Sequence, residues 1–332
     1  MQTMIPFQAP VVDELSVRVV VDSRYERFLP KASHPMVKIE HVARIPGREM
    51  STFAAEWGLS LHLSSSVAGA RAGYLLDFGY TPEVINRNVD LLGIDLATIN
   101  GLILSHGHRD HFGGLDGFVH EHRSHMRDDL ALYVGGETVF REKWITEKGD
   151  DGAPISWGAV DRASLHAHGV ATVCCTQPYA LAGPFSSGYI TRNSFEEVTG
   201  GTLVQDDHYS EAERQGHLVR DQHEDEHATC YIVKDRGLVV ISSCGHSGII
   251  NTVRTAMAAA NVDKVHAVVG GFHLGMAPLP YLQHSLRELE ALDPDVILPM
   301  HCTGTPFIDM MRERMPQKLV CSNVGSRFTF AA

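Results

Sequence analysis

The stretch Leu102-Ile103-Leu104-Ser105-His106-Gly107-His108-Arg109-Asp110-His111-Phe112-Gly113-Gly114 constrains this chain more than any other. Its branched apolar start reads as a buried strand. The strand runs straight into three histidines and an aspartate and closes on a glycine pair. Four such groups crowded on one loop would repel or desolvate one another unless a cation held them together. Neutral imidazole and carboxylate suit zinc, iron or manganese, and the tight spacing lets one loop serve two metal ions.

The same grammar recurs further along. Leu238 to Ile241 is an apolar strand followed by Cys244, Gly245 and His246, and helical periodicity at Ile249, Ile250, Val253 and Met257 puts that turn between strand and helix. Val265 to Val269 ends in Gly270-Gly271-Phe272-His273, and Val296 to Leu298 leads to His301-Cys302-Thr303-Gly304. Four separate strands ending in histidine and glycine argue against chance. Asp77, after Gly73 to Leu76, reads either as a turn residue or as a support for the histidine loop. His223 and His227 flank an acidic run that reads either as solvated surface or as a source of a further ligand. Cys244 reads equally as a thiolate ligand or a buried inert thiol.

Elsewhere Val17 to Val21 and Glu56 to Leu63, broken at Gly58, read as strands, with His62 structural or exposed. Thr81-Pro82 opens a helix to Leu92. Leu282, Leu286, Leu289 and Leu292 mark one face of another, and Met310, Met311 and Met315 read as core. From about Met126 to Leu218, glycine, proline and serine dominate several segments, as expected of a substrate-facing insertion. Its Trp144, Trp157, Tyr179, Phe185 and Tyr189 either line a pocket for a flat substrate or pack the insertion onto the body. His120, His122, His125, His166, His168, His208 and His217 fit surface or loop roles.

His106-x-His108-x-Asp110-His111 resembles the signature of the metallo-β-lactamase superfamily. More narrowly, Glu56 to Ser60, Asn86 to Gly114, the Cys244-x-His246 turn and the endings at His273 and His301 are similar to one subgroup of it. That subgroup includes the dihydropterin/ribofuranosylaminobenzene 5'-phosphate synthase-like proteins of archaeal methanopterin biosynthesis, and most of its members are metal-dependent hydrolases without a characterised substrate. Two departures stand out: Ser243 replaces a glycine, and residues 222–227 depart from the pattern usual in the subgroup, where an acidic residue and a glutamine are expected. The resemblance implies an α/β fold, a four-layer αββα sandwich formed by one domain over 1–332 with the insertion at about 126–218. It implies His106 and His108 on one metal, Asp110, His111 and His301 on the second, and His246 as an additional ligand, with His223 or His227 as alternatives for completing the first site. Cys244 would stand where relatives carry a bridging aspartate or a cysteine, Asp77 would orient ligands, and Asp110 and His273 would be catalytic. Two divalent ions follow, zinc first, with manganese or iron as alternatives.

Composition limits the partners. The 332 residues are 44% hydrophobic and 20% charged, enough for a large core, and the net charge of −12 disfavours nucleic acid. Six cysteines without a C-x-x-C pair favour a reduced, cytoplasmic setting. Neither a signal peptide nor a membrane-spanning run is evident. The expected activity is hydrolysis of a small-molecule ester, lactone, amide or phosphoester by a metal-bound hydroxide. A synthase or transferase displacing phosphate or pyrophosphate from a pterin-like or other heteroaromatic substrate is the alternative, with Arg109 as the candidate phosphate contact. A non-catalytic metal sensor is the third reading, and the chain leaves open whether it forms a homodimer.

Overall fold

A computed structural model describes residues 7–29, 32–42, 44–149, 152–207, 210 and 217–332. The first six residues, Pro30 and His208 lie outside the described residues. Two sheets face each other. One has eight strands, ordered Ala171–Cys174, Ala131–Val134, Ile99–Leu104, Ala70–Leu76, Ser60–Val67, Glu14–Val21, Arg327–Ala331, Lys38–Glu40. The other runs Tyr179–Ala180, Phe185–Ser186, Thr229–Val233, Gly237–Ser242, Val265–Gly270, Val296–Pro299, with Val11–Val12 added beside Thr229–Val233.

The layering follows from the two-residue side-chain period of the strands. In Glu14–Val21, Leu15, Val17 and Val19 enter the core between the sheets, while Val20 and Val21 turn to the outer face. On the second sheet Val239, Ile241, Val269 and Leu298 point inward, and Leu238, Val240, Val268 and Ile297 point outward. Helices Pro82–Leu92 and Leu115–His122 cover one outer face, through Ile85, Val89, Leu115, Phe118 and Val119. Ile249–Ala260, Leu279–Leu292 and Thr305–Arg314 cover the other. This is the αββα sandwich.

Residues 126–218 divide between body and cap. Ala131–Val134 and Ala171–Cys174 extend the eight-stranded sheet in parallel, and Tyr179–Ala180 and Phe185–Ser186 extend the other. Lys143–Lys148, Pro154–Gly158, Thr202–Gln205 and Leu218–Arg220 form a separate antiparallel sheet. Among the named aromatics, Phe185 is core, whereas Trp157 reaches the site described below. The strand read from Glu56 begins at Ser60, and Gly58 before it sits where a Cβ would meet the Asp110 carbonyl at 2.7 Å and the Tyr80 nitrogen at 3.0 Å.

The glycine pair after the histidine loop is required by crowding. A Cβ on Gly114 would collide with the Phe78 carbonyl, and one on Gly113 with the Tyr80 carbonyl. Gly114→Ala is therefore expected to destabilise the protein by about 1–3 kcal/mol, the usual range for overpacking. Denaturant unfolding would measure it; an unchanged midpoint would show that the loop can shift without loss.

Candidate metal centre

Five of the segments that meet at the centre arrive at the carboxyl ends of strands paired in parallel, where open α/β sheets present their crevices. Ala70–Leu76 delivers Asp77, Ile99–Leu104 the histidine loop, Gly237–Ser242 Cys244 and His246, Val265–Gly270 His273, and Val296–Pro299 His301. Ring centroids of His106 lie 4.6 Å from His108, 4.3 Å from His111 and 4.8 Å from His246. His301 is 4.9 Å from His111, and its Nε2 is 3.3 Å from Asp110 Oδ2 without the alignment of a hydrogen bond. His273 lies 4.2 Å from His246.

Hydrogen bonding fixes one nitrogen of several rings and leaves the other bare. His106 Nδ1 meets Ser105 Oγ at 2.9 Å, His111 Nδ1 meets Asp77 Oδ2 at 2.7 Å, and His246 Nδ1 donates to the Thr199 carbonyl at 2.9 Å. The Nε2 atoms of all three are buried without a partner, as are Asp110 Oδ1 and both ring nitrogens of His223. Orphaned buried donors and acceptors are costly, and imidazoles so oriented are the usual partners of a cation. Burial holds His106, His108 and His246 well below the ordinary histidine range and brings His223 down to about 4, so these rings are neutral, as ligation requires. His301 differs. Burial would lower it, but Cys302, Asp110 and Asp22 bring it up to about 9. The residues present therefore fit divalent metal.

Backbone strain marks the same positions. Of the eight non-glycine residues with left-handed backbone among the described residues, four are Asp77, His223, His273 and His301. Such conformations cost of order 1–3 kcal/mol each and persist where the surroundings dictate them.

Of the residues singled out from sequence, His106, His108, Asp110, His111, Cys244, His246, His273 and His301 come together, and His223 joins them, its ring 4.2 Å from that of His246. His227 does not. Its nitrogens face Ser186 Oγ at 2.7 Å and the Leu104 carbonyl at 3.0 Å, which ties two strands together and leaves no lone pair for metal. The acidic run is not solvated surface: Asp225 and Glu226 are buried. Asp225 accepts from the Gly107 N–H at 2.7 Å, and Glu226 from His246 and Ser247 N–H groups at 2.8 and 2.6 Å. Asp77 holds Ser105 through its N–H and hydroxyl, both at 2.8 Å, besides His111. Asp77→Asn is expected to weaken metal binding roughly 10- to 100-fold, the usual loss for an outer partner of a ligand. Chelator competition would reveal it, and an unchanged affinity would reduce Asp77 to a turn residue. His62, His120, His122, His125, His166, His168 and His217 are half-buried or exposed and lie in none of these groups.

Several participants escape sequence reasoning. The cap contributes Thr202, whose Oγ1 lies 3.0 Å from His108 Nε2. Gly200 is pressed so near that a Cβ would lie 2.9 Å from His223 Nε2. Buried Lys143 binds Asp221 at 2.6 Å and Asp225 at 3.4 Å. Asp22 accepts the His301 N–H at 3.0 Å. Trp57, half-exposed, lies tilted against His301 with ring centroids 4.8 Å apart, and Trp157 stands 5.4 Å from His108. The two tryptophans flank a cavity of about 240 Å³ lined by His108, Asp110, Cys244, His246 and His273. A second, of about 590 Å³, adjoins it past Trp57 and His273 and reaches Arg24 and Met276. Arg109 lines neither cavity.

The sequence profile of the metallo-beta-lactamase superfamily matches residues 61–179, the span that holds the histidine loop. The chain is 28% identical over 301 residues to the 7,8-dihydropterin-6-methyl-4-(beta-D-ribofuranosyl)-aminobenzene-5'-phosphate synthase of Methanocaldococcus jannaschii, covering 89% of this chain and 97% of that protein. It is 26% identical over 242 residues to the uncharacterised protein MJ0448 of the same organism, covering 69% and 78%. Among solved structures, Tm1679, described as a metal-dependent hydrolase of the beta-lactamase superfamily, superposes with a TM-score of 0.69 at 21% identity, covering 94% of this chain and 98% of that one. This likeness concerns the fold. Among the described residues, no helix is long and apolar enough to cross a membrane.

Proposed function

We propose that this protein is a metal-dependent hydrolase that cleaves an ester, lactone, amide or phosphoester bond of a small molecule. The observation that carries this reading is the cluster of buried imidazoles with bare ring nitrogens, those of His106, His111, His223, His246 and His301, gathered about the Asp110 carboxylate beside the cavity that Asp110 and His246 line. His106, His108 and His246 would hold one ion, and Asp110, His111 and His301 a second. Zinc is the preferred metal because a cysteine stands among the donors, with manganese or iron as alternatives. Free thiols beside such a centre also support a cytoplasmic setting.

Bound there, divalent ions supply Lewis acidity that polarises a carbonyl or phosphoryl oxygen and brings water's ionisation towards neutral pH. The chain's own groups do the rest. Asp110, held down by His111, His301 and His108 against the upward push of burial, stays an anion able to orient the attacking water's proton. His273 lines the same cavity, its Nδ1 3.3 Å from Cys244 Sγ, placed to give a proton to the leaving group. Trp57 and Trp157 exclude bulk water and offer flat apolar walls to the substrate.

Metal analysis of the purified chain, followed by a panel of chromogenic esters, lactones, amides and phosphodiesters with and without chelator, tests the proposal. The expected result is metal-dependent turnover of at least one class; turnover by metal-free protein would overturn it. A second reading, a synthase or transferase that displaces phosphate or pyrophosphate from a heteroaromatic substrate, draws support from the similarity to the synthase above and from Arg24 in the adjoining cavity. Metal-loaded protein that ignored the panel yet bound a pterin tightly would favour it.

A further inference from the structure

We infer that Cys302 is itself a metal ligand and that, with Cys244, it gives the His301 side of the centre a paired-thiolate donor set. This rests on the metal centre proposed above. The two cysteines come from strands that flank Val265–Gly270 on either side, 58 residues apart, and their sulfurs lie 3.2 Å from each other, buried. Cys230, by contrast, is buried among apolar side chains, with no titratable group in contact. Neither Cys244 nor Cys302 belongs to a hydrophobic cluster of that kind. Cys244 Sγ groups with His106 and His111, with His246 and His273, and with His301 and Cys302, each set of donor atoms lying within 4.8 Å of one another.

These spacings suit a shared cation. Zinc–sulfur bonds of roughly 2.3 Å and zinc–nitrogen bonds of roughly 2.0–2.1 Å in a tetrahedron set donor-to-donor separations of about 3.3–3.8 Å. The sulfur pair needs to open by only about half an ångström. Its position is enforced from behind: Gly271 leaves no space for a side chain, since a Cβ there would meet Cys302 Sγ at 2.8 Å. The His273 N–H donates to the same sulfur at 3.3 Å, a contact that suits a thiolate. Cys302 also borders both cavities, so an ion held there would face substrate from either side of Trp57.

Cobalt(II) loading of the full chain tests this. Thiolate-to-cobalt charge transfer gives an intense near-ultraviolet band, and we expect it to fall by about half in Cys302→Ser and in Cys244→Ser and to vanish in the double variant. A Cys302→Ser protein that binds cobalt with undiminished band intensity would overturn the assignment and leave the hydrolase proposal standing. Wild-type protein that takes up no divalent metal would bring down both. Alkylation of wild-type protein, read by mass spectrometry, gives an answer that does not depend on how the variants fold. Both thiols should be protected by metal and released by chelator; a Cys302 equally reactive in either state, or one recovered in a disulfide with Cys244 from metal-loaded protein, would refute the pairing.

Discussion

Exchange of His111 for alanine is expected to remove bound metal and turnover together. The imidazole is fully buried, its Nδ1 is held by Asp77, and its Nε2 is bare beside Asp110, 3.8 Å away. Loss of an outer partner typically weakens metal binding roughly 10- to 100-fold, so loss of a donor should exceed that range. Lewis acidity contributes several kcal/mol to the transition state, hence a fall in kcat/KM of about 1000-fold or more. Metal content and kinetics should be measured on the same preparation. His227→Ala is the informative control, because that ring bonds only to Ser186 and Leu104: it should lose stability while keeping its metal. A His111→Ala protein that kept turnover without metal would refute the proposed chemistry.

The largest effect on stability is expected at Lys143. Its ammonium is buried in the cap yet bonded to Asp221 and Asp225, the second of which also holds the Gly107 N–H of the histidine loop. Replacement by methionine preserves much of the stem and strands two carboxylates in a dry site. Breaking a buried pair in this way typically costs about 3–5 kcal/mol. Charge and packing can be separated by pH. Burial would raise the Asp221 carboxyl, but His223 and Lys143 outweigh it and leave its folded value below its unfolded one. That contribution is full above the unfolded carboxylate range and is lost as pH falls through the folded value. In Lys143→Met the Asp221 carboxylate, without its cation, would protonate more readily on acidification, so the deficit relative to wild type should be widest near neutral pH and narrow below the carboxylate range. A deficit that stayed constant across pH would assign the loss to packing alone.

Much of the body is legible in the sequence because its signals are local. Pro82 at the start and Gly93 in left-handed conformation at the end delimit the first long helix as read, and the alternation of Leu15 to Val21 already encodes two packed faces. The histidine endings of four strands are equally local, and the structure gathers them. What stays hidden depends on partners distant in the chain. Lys143 reads as an ordinary strand lysine until Asp221, 78 residues on, closes over it. The acidic run around Asp225 looks solvated because nothing nearby reveals that its carboxylates cap the backbone of the histidine loop and of the Cys244–His246 turn. Cys302 carries no signal beyond its place next to His301. The span 126–218 looks uniform in composition, yet its strands divide between the two main sheets and the cap, a division fixed by long-range pairing.

The left-handed backbone at His223, His273 and His301 bears on how such a protein could be engineered. Glycine would relax the torsion at each position, so selection for heat tolerance alone would favour replacements that delete the imidazole. Thermostabilising libraries built on this chain should hold those three codons fixed, since the changes most welcome to the polypeptide there are the ones that would silence it.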